Sequence, residues 1–287
     1  MALTNTSTAA GGLGRTIGDA VIAFNHSNVM FPLVTVQQCA KGSNHVNFSD
    51  WTKLTSGNVT AATQATTTTA VAITTAARTA TVSEHVIAST VSDLVLMGSN
   101  DDIVGQAGTA LGNAVAAKLD DDLVELGKGF SQTESSAGTA LALSHVFGSM
   151  RQLRSASAPF PYSLVLSPKQ VWGAKGLSGL LVDPSAGVQA DNPLSQGKLA
   201  NGEIGTIAGF NVYWSDQIDE NVSSGGDAAG FAFSKGAIGC AVGPQGLIRI
   251  ETERNASFRT TEYVAVGFWG EIEIHDGFGV YVLSDVS

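Results

Sequence analysis

The 287-residue chain is 44% apolar but only 14% charged, against about 25% charged for an average soluble protein. Its formal net charge of −10 argues against a nucleic-acid reader, which needs clustered Lys and Arg, although a wall that faces DNA without gripping it tolerates such a charge. With 33 Gly and a large share of Ala, Ser and Thr, few charges remain for a solvated surface, which suggests either a subunit whose faces are covered by neighbours or a Thr-rich extracellular β protein.

Residues 1 to about 40 carry Gly11, Gly12, Gly14 and Gly18 around Arg15, then the more apolar Val29 to Val36. That composition fits an extended arm better than a domain core. Gly12-Leu13-Gly14 lacks the third glycine and the preceding strand of a phosphate loop. The opening Met-Ala-Leu-Thr-Asn-Thr-Ser-Thr lacks the basic and apolar regions of a signal peptide, and no run of 18 apolar residues occurs. A soluble protein made in the cytosol, with no membrane association, is therefore expected. Cys39 and Cys240 belong to no CxxC pattern and are expected to be small buried apolar residues.

From about Gly42 to Ser83, threonine dominates: 12 of the 30 residues from Thr52 to Thr81 are Thr. Val46 and Phe48 alternate with polar neighbours on the way out, Ser56-Gly57-Asn58 offers a bend, and Val71, Ile73, Ala80 and Val82 alternate on the way back. The pattern predicts a long two-stranded ribbon whose side chains are too small and polar to build a core. An isolated hairpin is marginal in water, so such a ribbon is stabilised by lying on something else. Trp51, Lys53 and Arg78 are its candidate contact residues; ordinary exposed strand residues are the plainer alternative.

Val86 to Leu94 leads into the strongest signal in the chain. Ile103, Ala107, Leu111, Val115, Leu119, Leu123 and Leu126 recur at steps of four and finally three, which predicts one helix over 99–129 with Leu111, Val115 and Leu119 at its core. Ser99 or Asn100 can cap it, Asp101 and Asp102 suit its positive end, and Gly127, Lys128 and Gly129 suit its finish. At 1.5 Å per residue it is a rod of about 40 Å. Gly105, Gly108 and Gly112 each cost about 1 kcal/mol relative to Ala, which suggests that another backbone packs closely there. Asp120, Asp121 and Asp122 diverge by about 100° per residue and are expected on a solvated face.

Leu141 to Arg154 predicts a second amphipathic helix, ended by Pro159 and Pro161. Ser163 to Ser167 reads as a buried strand, and Pro168 as the start of a helix carrying Val171 and Trp172. Residues 182–204 read as a loop, 205–214 as a turn and strand, and Asp216 to Ala229 as a flexible tip. Leu247–Glu253, Tyr263–Ile274 and Val280–Leu283 predict a closing β meander.

This order of parts resembles the major capsid protein superfamily of tailed bacteriophages, the fold shared with encapsulin shells. The matching features are the glycine-bearing arm, the extended loop, Val91-Ser92-Asp93-Leu94, the spine helix, Leu166-Ser167-Pro168-Lys169, Ile207-Ala208-Gly209-Phe210-Asn211-Val212 and the closing β region, together covering about residues 15–284. The resemblance implies an α+β phage major capsid fold: an N-terminal arm over 1–41, an extended β-hairpin loop over 42–84, a peripheral domain over 85–159 and 235–287 holding the spine helix, and an axial domain over 160–234. It implies self-assembly into pentamers and hexamers of an icosahedral head, with scaffolding, portal or cement proteins as further partners and packaged DNA contacted non-specifically. Some relatives carry a long charged N-terminal helical region; this sequence lacks one, and its proteolytic removal is not expected. Other members join a loop lysine to an asparagine of a neighbour. Here Lys53 and Asn255, with Glu262 or Glu271 as the acid, are the residues that the resemblance offers, and non-covalent contacts are the preferred expectation.

Three rivals stand beside this reading. For an enzyme, the five histidines, His26, His45, His85, His145 and His275, are scattered, no catalytic or cofactor motif occurs, and Glu271 with Glu273 is a carboxylate pair of a kind common on solvated strands. No catalytic residue, metal or cofactor is therefore expected. A secreted adhesin-like β protein conflicts with the long helix. An encapsulin-like nanocompartment shell shares the same architecture and stays open.

Overall fold

The structure, a computed structural model, describes residues 28–51, 53–62, 64, 70–98, 102–173, 175–177, 203–222 and 225–287. The expected arm up to residue 27 and most of the expected loop at 182–204 lie outside the described residues. After a single 3-10 turn at Phe31–Leu33, the first half of the chain forms β1 (Thr35–Gln38), β2 (His45–Trp51), β3 (Thr75–Thr81) and β4 (Ser83–Ser92), then helices α1 (Asp93–Gly98) and α2 (Ile103–Lys128). The second half forms β5 (Thr133–Glu134), α3 (Leu143–Ser155), β6 (Tyr162–Leu166), α4 (Pro168–Trp172), β7 (Glu203–Ile207), β8 (Phe210–Trp214), β9 (Asp227–Ser234), β10 (Ile238–Val242), β11 (Ile248–Asn255), β12 (Thr260–Glu273) and β13 (Gly279–Asp285).

The predicted spine helix is α2. Asp102 caps it by accepting from Gly105 N at 3.3 Å, and the helix ends at Gly129, whose N–H returns to Leu126 O. Residues 99–101, which carry the two favoured caps, lie outside the described residues. Leu111, Val115, Leu119 and Leu123 are all buried, as their spacing requires, and so are Gly105, Gly108 and Gly112. At Gly127 the reason for a missing side chain is direct: a Cβ there would stand 2.7 Å from the Phe231 ring.

Two sheets share this helix. In the first, β12 is the central strand: β10 and β11 pair with successive stretches of one edge, β4 pairs antiparallel along the other, and β1 runs parallel to β10. The second has the order β5-β13-β9-β6-β8-β7. Its strands β6 and β9 are buried along their whole length. Alternation explains this: Val165, Phe231 and Phe233 point into the core with α2, while Leu164, Leu166 and Ala232 point to a second core with Leu153 of α3 and Val171 of α4. Buried Gln170 ties these layers together. Its Nε2 donates to Ala228 O, Val282 O and Ser284 Oγ, and its Oε1 accepts from Ser167 N.

Several expectations change. The closing strands do not form a meander, because β13 leaves β12 after a 3-10 turn and pairs antiparallel with β9 in the other sheet. The flexible tip at 216–229 is shorter than predicted, since β9 begins at buried Asp227. Its small residues are required by close packing: a Cβ on Gly230 would lie 2.6 Å from the Leu166 side chain and 2.7 Å from Gln170 Oε1. The lead-in to the helix is a full ten-residue strand, β4.

The inner part of the predicted ribbon forms, with β2 and β3 antiparallel in the register His45↔Thr81 to Trp51↔Thr75, while Val71 and Ile73 fall before β3 rather than in a strand and Ser56–Asn58 is a 3-10 turn. Its base, however, does build core. Phe48 and Ala80 are buried with Cys39, Ala241 and Ile274, because the paired strands lie on the first sheet before running free. Both cysteines are free and buried.

Truncating Leu111 or Leu119 to Ala is expected to cost about 2–5 kcal/mol of stability in urea unfolding. Asp121→Ala, which removes only an exposed contact to Lys118, is expected to change it by less than about 0.5 kcal/mol. Equal effects at all three positions would contradict the buried face described here.

Candidate assembly surfaces

The triple aspartate of α2 is not one solvated face. Only Asp121 is; Asp122 accepts from Trp269 Nε1 at 3.0 Å and pairs with Lys118 at 2.7 Å. Asp120 is 2% exposed and holds the incoming chain, its Oδ2 accepting from Val29 N at 2.8 Å and its Oδ1 from Met30 N at 3.0 Å. Met30 is itself fully buried. The point where the N-terminal segment joins the body is thus one buried carboxylate bonded to two backbone amides. Burial, with Asp216 nearby, pushes the Asp120 carboxyl up to about 6, while the two amides pull it down.

The ribbon carries the predicted contact residues outward. Trp51, the last residue of β2, is 64% exposed, and Arg78, opposite Phe48 in the register, is exposed too. Lys53 Nζ donates to Ser157 Oγ, just past the end of α3 in the same chain. Asn255 closes β11, where its Oδ1 accepts from Phe258 N at 3.3 Å in the turn to β12. Lys53 and Asn255 therefore have separate partners within one chain. Glu262 faces Glu253 across the same hairpin, and Glu271, opposite Cys240, is raised by burial first and by Asp122 second.

One surface was not foreseen. Helix α1 has the sequence Asp-Leu-Val-Leu-Met-Gly and buries none of its residues. Leu94 is 81% and Met97 85% exposed, and Phe258, in the β11–β12 turn, is 77% exposed. A forked ion pair fixes this corner: Arg254 Nη1 and Nη2 each donate to one oxygen of Asp93 at 2.6 Å, and Asp93 N donates to Arg259 O at 3.0 Å. Arg254 holds the Asp93 carboxyl below its ordinary range. The sequence signal was available, four consecutive large apolar residues directly after a capping-type aspartate, but it merges with the helix that follows.

His85 stacks on Trp269 at 4.0 Å, His275 stacks on Phe278 at 3.9 Å, and His145 Nδ1 accepts from Ala142 N. Among the described residues no group of three His, Cys, Asp or Glu is placed to hold a metal ion, and no helix is long and apolar enough to cross a membrane.

The fold, a spine helix shared by two sheets with a ribbon at one of them, is the one seen in solved phage capsid structures. Solved structures agree along nearly the whole chain. The capsid of Ralstonia phage GP4 is 10% identical, with 91% of this chain and 92% of that chain covered and a TM-score of 0.70. The cyanophage P-SCSP1u capsid is 15% identical over 89% of this chain and 87% of that chain, at a TM-score of 0.66. A virus-like particle from Pyrococcus furiosus is 13% identical over 94% and 98%, at 0.60. No protein-family model and no curated protein matches the sequence.

The raised Asp120 gives a pH prediction. Its folded carboxyl holds a proton more tightly than an unfolded one, whose value is near 3.8, so stability is lost as pH rises from about 4 to about 6 and is flat with respect to this group outside that window. In Asp120→Asn that part of the pH dependence is expected to vanish from denaturant midpoints measured between pH 4 and pH 7. An unchanged slope would show that Asp120 is not the group responsible.

Proposed function

We propose that this chain is a major capsid protein, which self-assembles into pentamers and hexamers of an icosahedral phage head enclosing DNA. The observation that carries this reading is the agreement of fold across about nine-tenths of the chain with phage capsid structures. The composition supports it: with 14% charged residues, a chain of this size has much surface to hide against copies of itself. In this reading 1–41 is the arm, 42–84 the extended loop, 85–159 with 235–287 the peripheral domain, and 160–234 the axial domain. The protein works in the virion head, is made in the host cytoplasm, and has a structural role without catalysis. Scaffolding, portal or cement proteins join it at assembly, and DNA meets its walls without sequence-specific contact.

Trp51, Lys53 and Arg78 belong to the surface that reaches a neighbour, and the contacts are non-covalent. For an isopeptide bond, Lys53 must leave Ser157 and lose its charge beside an asparagine such as Asn255 and a buried carboxylate. A nanocompartment shell is the alternative reading, with the likeness to the Pyrococcus furiosus virus-like particle in its support, while most of the similar structures are phage capsids.

Purified chain is expected to form closed shells visible by electron microscopy, and boiling those shells in detergent is expected to release a single band at the 29.4 kDa monomer mass. A ladder of multimers that disappears in Lys53→Ala would replace non-covalent contacts by a crosslink. Replacing residues 53–73 by a short turn, which spares the paired strands and buried Phe48, should leave a folded subunit that no longer closes shells. Unfolding on this deletion would place the outer ribbon in the core. A chain that stays monomeric at every concentration and salt level would overturn the reading.

A further inference from the structure

We infer that the outward ridge of α3, from Leu143 to Arg154 and on to Phe160, is a docking surface for an acidic amphipathic segment of another protein. The inference goes beyond the capsid reading and does not depend on it.

The sequence sets the charge. Residues 135–182 contain Arg151, Arg154, Lys169 and Lys175 and no Asp or Glu, in a chain with 25 acidic against 15 basic residues. Helices α3 and α4, which cover the second sheet, both lie in this acid-free run. Lys169 and Lys175 take their carboxylates from other segments, pairing with Glu220 at 3.1 Å and Asp285 at 2.6 Å. Arg151 is 76% exposed and reaches Glu134 through Nη2 alone, at 3.3 Å. Arg154 has no carboxylate partner among the described residues, and its guanidinium carbon lies 4.1 Å from the centre of the Phe160 ring. Lys53 brings another cation to the same end of the helix, because its acceptor Ser157 is itself bonded from N to Arg154 O at 3.0 Å.

Helix periodicity sets the shape. Leu143, Phe147, Arg151 and Arg154 recur at steps of four, four and three and are all exposed, while Val146, Ser149 and Leu153 on the other side are buried. Phe147 is 55% and Phe160 53% exposed. Cations near the end of a helix complement its dipole, but that gives no reason for two phenylalanines to stand in water beside them. A ridge that is apolar at one end and cationic at the other matches a segment of opposite charge with apolar side chains at helical spacing. Nucleic acid fits less well. Phosphates match neither Leu143 nor Phe147, and a net charge of −10 repels a long polyanion, whereas a short acidic segment is steered to this ridge.

The test uses the full chain and a labelled synthetic helical peptide of about 18 residues, with Leu at every third and fourth position and Glu between, read by fluorescence anisotropy. This peptide is expected to bind at least about tenfold more tightly than the same peptide with Gln for Glu, and the difference should shrink as salt rises. Arg154→Glu and Phe147→Ser are each expected to weaken binding roughly tenfold, while Phe147→Ser leaves the urea midpoint of the chain unchanged, which separates docking from folding. Equal binding of the two peptides, variants that bind like the parent, or tighter binding to duplex DNA of about 30 base pairs would overturn the inference. An Arg154→Glu chain that no longer closes shells would assign the ridge to a second copy and overturn it as well. Shell formation by the parent tests the capsid reading separately.

Discussion

The buried stripe of α2 has to satisfy two sheets at once. Leu111, Val115, Leu119 and Leu123 lie in one core with Tyr263, Ala265 and Trp269 of β12 and with Phe231 and Phe233 of β9, so one face of the helix packs against both sheets. Its approach to β9 is close enough that Gly127 has no room for a side chain. Everything outward of the helix inherits its position. The ribbon projects where the first sheet ends, and α3 and α4 cover the far side of the second sheet. A shell subunit needs this kind of stiffness, since small errors in angle within one copy accumulate around a ring.

Polar groups inside the body act as fasteners at the joints between elements. Asp120 receives the chain at Val29 and Met30, Gln170 bridges α4 to β9 and β13, and Asp122 binds the indole N–H of Trp269. Each is a group that is costly to bury alone and well placed once its partners are present. They specify which segments meet, whereas the apolar cores supply most of the driving force.

The surface follows a different logic from the core. Large apolar residues stand exposed on the outer ribbon, Trp51, Val59 and Ile73 among them, and on α1, where Leu94 and Met97 do. Neither patch suits a protein that stays alone in water, and both suit surfaces that disappear on association.

By itself the sequence determined the elements whose signal is local. Steps of four in Leu111, Val115, Leu119 and Leu123 define a helix face wherever the helix is placed, alternation in Val46 and Phe48 defines a strand, and Ser167-Pro168 starts a helix through its own hydroxyl, which accepts from Gln170 N. The order of these parts also carried the resemblance to capsid proteins. What only the tertiary structure decided is which partner each element takes. Asp227-Ala228-Ala229 reads as the end of a flexible tip because small residues give no hydrophobic period, although these residues open β9; at the next position, Gly230, only Leu166 and Gln170 make smallness a condition of the strand. The direction of β13 and the fate of Asp120 are set the same way. A strand carries no mark of the sheet it will join, and an aspartate between two others becomes a buried anchor only when a distant stretch of chain presents its amides, because hydrogen bonding and burial are properties of pairs and not of single residues.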